Sequence, residues 1–344
     1  MLPCAVCGKK ETRPVRIGMI SFAHMHAYSY ARVAHMIDDA VLVAIADEDD
    51  DRGTDAARRF GATLHRDYRG LLNSDIDAVI VCSENARHAE HVVAAAQAGK
   101  HVLCEKPIAT TLRDARRMVE TCASCGIILA QAFPVRHAPA VVRAKHLIDA
   151  GKIGQILAIS GTNHGRMPGG WFTDRALAGG GAVMDHTVHV VDVLRWFLAD
   201  EVRKVYAEVD TGFHDIPIDD CGTLAIEFRG GVFATLDPSW SRPRAYPTWG
   251  DVTVEIVGTD GVISIDAFAQ MSVESSDREG AVFYRYWGDD MDLLLIRDFV
   301  KAVKTGGRPA AIGQDGLRAL EVALAAYRSA ELGAPVELPS ADLE

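Results

Sequence analysis

From position 14 onward, short apolar runs alternate with longer segments of helical period. Residues 15–20, 41–46, 78–82, 101–104 and 127–133 read as strands, with a shorter one near Thr63 and Leu64. Runs such as 41–46 are apolar at consecutive positions, as suits strands buried on both faces. Residues 26–37, 51–60, 86–98 and 112–124 read as helices, and Gly61 and Gly99 stop two of them. This β–α–β–α order predicts an α/β unit over 13–134, a doubly wound parallel sheet with right-handed crossovers.

After Pro134 the pattern changes. A helix over 138–150, a strand over 155–161 and one long helix over 182–198 give way to strands at 204–209, 223–228, 232–236, 252–257 and 262–265. Gly230-Gly231 and Thr259-Asp260-Gly261 are hairpin signals between them. Two amphipathic helices, near 292–304 and 316–331, close the chain. The prediction for 135–344 is an α+β domain with a large open, mostly antiparallel sheet against helices.

A length of 344 residues agrees with two domains. The net charge of −11 argues against a nucleic-acid partner, which calls for clustered Lys and Arg. No apolar run approaches the roughly 18 residues of a membrane span, and the first residues lack a basic then apolar leader. A cytoplasmic protein is expected, with no membrane partner. The seven cysteines are too scattered for a disulfide scaffold. Cys4 and Cys7 share a C-x-x-C-G spacing with Cys122 and Cys125, which would permit a four-thiolate structural zinc. The favoured reading is buried helix cysteines plus a loose tail, hence no metal. A catalytic zinc or manganese on three of His24, His26, His137, His164, His186 and His189 is the other metal hypothesis; no H-E-x-x-H pair supports it.

The turn after the first strand is where a doubly wound fold receives a dinucleotide pyrophosphate. The places of G-x-G-x-x-G hold Ser21, Ala23 and His26, with Phe22 and His24 beside them. Ser21 and Ala23 are small enough for close backbone approach, whereas His26 stands where a glycine normally lets helix and strand pack. Asp47, 21 residues beyond His26, is placed to accept from an adenosine ribose. The acidic run Glu48, Asp49, Asp50, Asp51 would repel a 2′-phosphate, favouring NAD over NADP.

Two further motifs are Gly99-Lys100-His101-Val102-Leu103-Cys104-Glu105-Lys106-Pro107 and Gly180-Gly181-Ala182-Val183-Met184-Asp185-His186-Thr187-Val188-His189. Together they resemble the glucose–fructose oxidoreductase, inositol dehydrogenase and rhizopine catabolism family, Gfo/Idh/MocA. The resemblance implies a Rossmann domain, an open-sheet substrate domain and a nicotinamide cofactor in the cleft between them. It places Ser83, Asn85, His88, Glu105 and Lys106 along the cofactor, and implies that the Lys106–Pro107 bond is often cis. Arg136, Asn163, His164 and Trp171 fall in segments that line the substrate cleft of relatives. A homodimer or homotetramer through the C-terminal sheet is also implied.

Asp185 and His189 stand at i and i+4, on one face of an otherwise apolar helix, with Asp192 on the same stripe. The bland reading is a narrow solvent face; the functional one is a cleft-facing pair. In the functional reading His189 is a base titrating near neutrality, Lys106 stabilises a developing alkoxide, and Asp185 orients the set. The expected activity is NAD(P)-dependent oxidation of a secondary alcohol of a sugar or polyol. An NAD-assisted glycoside hydrolase or lyase and a non-catalytic sugar-sensing regulator are the alternatives.

Overall fold

The computed structural model describes residues 13–278, 280–286 and 290–343. Six strands, β1 (Val15–Ile20), β2 (Ala40–Ala46), β3 (Thr63–His65), β4 (Ala78–Val81), β5 (His101–Cys104) and β6 (Leu129–Gln131), form one parallel sheet in the order β3-β2-β1-β4-β5-β6. Crossovers run through α1 (His26–Ala34), α2 (Asp50–Phe60), α3 (Tyr68–Leu72), α4 (His88–Gln97) and α5 (Leu112–Ser124). The strand order reverses between β1 and β4, so a crevice opens at their carboxyl ends. Local chemistry sets the helix limits. Asp49 accepts from the Arg52 amide to start α2, Gly61 ends it at φ 64°, and Thr111 caps α5.

The second unit contains α6 (Pro139–Asp149), β7 (Ile156–Thr162), α7 (Arg175–Ala178), α8 (Ala182–Leu198), β8 (Val202–Asp210), β9 (Cys221–Phe228), β10 (Phe233–Asp237), β11 (Thr253–Gly258) and β12 (Val262–Asp266). The hairpin β13 (Met271–Ser276) and β14 (Ala281–Tyr286), then α9 (Met291–Thr305), α10 (Gly313–Leu332) and β15 (Val336–Glu337), complete it. Seven strands lie in the order β12-β11-β7-β10-β9-β8-β15, and only β7 and β10 pair in parallel. Ile159, Ile226, Leu236 and Ile256 are buried under helices on one face, while Leu157, Phe233 and Val262 of the other face are exposed. The fold is the expected pair of architectures, a Rossmann sheet followed by an open mixed sheet.

Two features depart from the sequence reading. The β13–β14 hairpin stands as a separate sheet. Helix α9 returns to the first unit, where Leu295, Ile296, Phe299 and Val300 join Val15, Ile17 and Tyr30 in one core. A cut at 134/135 therefore does not divide the packing, because the apolar face of α9 closes one side of the parallel sheet. Cys4 and Cys7 lie outside the described residues. Cys122 is buried among apolar neighbours, which pushes its thiol up to about 12, and Cys125 is exposed.

Candidate active site

Ser21 ends β1 with φ 68°, a left-handed conformation that usually selects glycine. Its amide donates to the Ala46 carbonyl at 2.7 Å and its Oγ accepts from the Ala23 amide at 3.1 Å. A serine thus makes the turn for which a glycine was expected. Met25, at the N-cap of α1, offers no side-chain oxygen to the first helical amides, and those of His26 and Ala27 donate to His24 Nδ1 at 3.2 Å and the His24 carbonyl at 3.1 Å. Asp47 is more committed than its position suggested. Its Oδ2 accepts from the Phe22 amide at 2.7 Å and Arg52 Nε at 2.9 Å; its Oδ1 accepts from the Asp49 amide at 3.0 Å and an Arg52 terminal nitrogen at 2.7 Å. The acidic run also faces a second arginine, since Arg87 pairs with Glu48. The negative field assumed for it is thus partly neutralised.

Between the two units lies a cavity of about 310 Å³, lined by Lys106, Asn163, Asp185 and His189 together with His24 and His26. Lys106 follows β5, next to the cis Lys106–Pro107 bond. Its Nζ pairs with Asp185 Oδ1, while Trp240 Nε1 donates to Asp185 Oδ2 at 3.1 Å. Burial works against a charged Asp185, but Lys106 and His186 outweigh it and hold the carboxyl well below its usual range. Residues 182–195 of α8 are all buried, so the solvent-face reading of Asp185 and His189 does not apply. His189 is only 7% exposed and its Nδ1 has no hydrogen-bond partner. Burial, then the Lys106 cation, push its imidazole well below 6.5. That direction departs from the titration near neutrality expected for it.

The structure relocates several residues. Glu105 is buried beneath His24 and His26, with Oε1 2.9 Å from His26 Nδ1 and Oε2 accepting from the Lys106 amide at 2.8 Å; it does not line the cavity. Arg136 points away from the cavity because its guanidinium is spent on Asp192 and on the Ala310 carbonyl. Asp192 accordingly faces Arg136 rather than the cleft. His164 is held by Asp237 and Asp251 at 3.1 and 3.2 Å. Trp171 stacks on Phe172 and donates to the Ala23 carbonyl at 3.1 Å, so it braces the nucleotide loop instead of lining the cavity. Ser83 meets His91, Asn85 donates to the Ala178 carbonyl, and His88 lies between the Pro107 and Ser83 carbonyls. These three brace the β4 and β5 ends on which Lys106 sits.

Of the six histidines considered for a metal, His24 and His26 form with Glu105 the one compact three-ligand group among the described residues. His24 Nδ1 already accepts from the His26 amide at 3.2 Å. The cavity residues that sequence reasoning missed include Phe172, Trp249, Val252, Phe268, Met291 and Asp292. They come from loops and helix ends scattered over the second unit, and no local motif marks them.

Residues 15–133 match the model of an oxidoreductase family with an NAD-binding Rossmann fold, and residues 141–264 match the GFO/IDH/MocA C-terminal domain. Myo-inositol 2-dehydrogenase of Thermotoga maritima is 31% identical over 338 residues, covering 94% of this chain and 98% of that protein. The 1,5-anhydro-D-fructose reductase of Ensifer adhaerens is 32% identical over 278 residues, covering 77% and 80%. Among solved structures, GenD2 from gentamicin A biosynthesis in complex with NAD superposes with a TM-score of 0.88 at 26% identity, over 99% of this chain and 100% of that one. Levoglucosan dehydrogenase in complex with NADH and levoglucosan gives 0.82 at 26% identity, over 95% and 100%. The chain belongs to the Gfo/Idh/MocA family of oxidoreductases, its NAD-binding Rossmann domain preceding the family's C-terminal domain.

Proposed function

We propose that this protein is a dehydrogenase that moves a hydride between the nicotinamide of NAD and a secondary alcohol carbon of a sugar or polyol. The observation that carries this reading is the convergence of Lys106, Asp185 and His189 on one cavity at the carboxyl edge of the parallel sheet. The relatives named inositol and levoglucosan dehydrogenase supply the substrate class.

When bound, NAD supplies the hydride acceptor. The turn at Ser21–Ala23 and the start of α1 would hold its pyrophosphate, and Asp47, now paired with Arg52, would face the adenosine ribose. Lys106 binds the reacting hydroxyl and stabilises the negative charge that grows on its oxygen. Asp185, gripped by Trp240, fixes the Lys106 ammonium at that point. His189, neutral before substrate arrives, takes the hydroxyl proton. Phe172, buried at the cavity wall, helps exclude water.

A homodimer or homotetramer through the open sheet face belongs to this proposal, supported by the exposed Leu157, Phe233 and Val262, as does a cytoplasmic setting. Among the described residues no helix is long and apolar enough to cross a membrane. The test is a panel of sugars and polyols followed at the reduced-nicotinamide absorbance with NAD. Absence of turnover on every member, with NAD bound, would overturn the substrate class.

A further inference from the structure

The cavity wall is more apolar than polar. Nine of its sixteen lining residues are apolar. Of the seven polar ones, Lys106, Asp185 and His189 are assigned to the reacting hydroxyl, and His24 and His26 sit on the nucleotide loop. For the other hydroxyls of a substrate there remain Asn163, Asp292 and the unpartnered Nε2 of His24, and the first two are partly spent. Asn163 Nδ2 donates to the His186 carbonyl at 3.2 Å, and Asp292 Oδ2 accepts from Ser29.

A ring carrying hydroxyls on every edge would lose water at most of them and gain no partner, which burial penalises. The rest of the wall offers something else. Met25 and Trp249 are 42% and 39% exposed, and Phe268 and Met291 line the same cavity. Trp249 is built into place. Its ring meets the His186 imidazole edge-on at 5.2 Å, and a Cβ on Gly165 would lie within 2.8 Å of it, so a glycine there is what admits the indole. The apolar shelf thus shares one cavity with the reacting end, the makeup of a ligand pocket.

We propose that the substrate is a sugar bearing an apolar substituent, of the aryl or alkyl glycoside class, with its sugar ring at Lys106 and His189 and its aglycone against Trp249, Phe268 and Met291. This rests on the dehydrogenase reading above and narrows its substrate class. The apolar group contributes binding energy by leaving water.

The test compares methyl and phenyl glycosides of glucose, galactose, mannose and xylose, alongside the free sugars and inositol, by kcat/KM with NAD. On the best sugar the phenyl glycoside is expected to exceed its methyl counterpart by about tenfold or more. Trp249→Ala and Phe268→Ser should each bring that ratio toward one, and two variants guard against one that fails to fold. Free sugars or methyl glycosides that equal the phenyl compounds would overturn the inference while leaving the dehydrogenase reading intact. If NAD binds and no carbohydrate in the panel is turned over, the broader reading falls and this inference with it.

Discussion

Arg52 holds the Asp47 carboxylate by both oxygens, and with the Phe22 and Asp49 amides it fills all four acceptor positions. A ribose hydroxyl can reach Asp47 only by displacing Arg52. Arg52→Gln is therefore expected to tighten NAD binding by up to about tenfold, equivalent to ~1.4 kcal/mol, in isothermal titration. Weaker binding would instead assign Arg52 a direct contact with the nucleotide.

Ser21 adopts φ 68°, where a β-carbon is strained. Ser21→Gly removes the strain but gives the unfolded chain more freedom, so stability should change by no more than about 1 kcal/mol. Ser21→Val should lose about 1–2 kcal/mol or more, because β-branched residues tolerate this conformation worst. Denaturant unfolding of the two variants decides it; equal stabilities would mean that the turn is not strained.

Arg136 and Asp192 form a buried pair, with Arg136 Nε 2.8 Å from Asp192 Oδ2. Burial pushes the Asp192 carboxyl up to about 6 despite the Arg136 cation. Arg136→Met should cost about 3–5 kcal/mol by stranding Asp192, and adding Asp192→Leu should recover most of it. A raised substrate KM at unchanged stability would return Arg136 to the substrate site.

The Asp237 and Asp251 carboxylates hold His164 up at about 9. A folded value above the unfolded one of about 6.5 means the stabilisation is complete below that pH and is lost as pH rises through 9. Melting temperature should fall across that window, and His164→Gln should flatten the fall. An unchanged slope in the variant would show that the pair carries no pH dependence.

The alternation of apolar runs and helical segments made both architectures legible, and the limits of α8 were read to the residue, because glycines and a long apolar face mark it. The Lys106, Asp185 and His189 positions were legible from two contiguous motifs. What escaped was long-range. The apolar face of α9 reads the same whichever sheet it covers, so its return to β1 left no local trace. The pairings of Arg136 and Asp47 escaped for a related reason: Arg136 is taken up by Asp192 and Asp47 by Arg52, and only the fold brings these partners together. The apolar mouth around Trp249 and Phe268 comes from loops with no periodicity to read.

In the proposed reaction the His189 imidazole and the Lys106 ammonium act on one substrate oxygen. Steady-state kinetics of His189→Ala, Lys106→Ala and the double variant, at saturating NAD, test it most directly. Each single change should lower kcat by roughly 10²–10⁴-fold, and the double loss should fall well short of the product of the two. Since burial and Lys106 hold His189 well below 6.5, wild-type kcat/KM should show no acidic limb near that pH. Full activity in His189→Ala, or losses that multiply, would contradict the account.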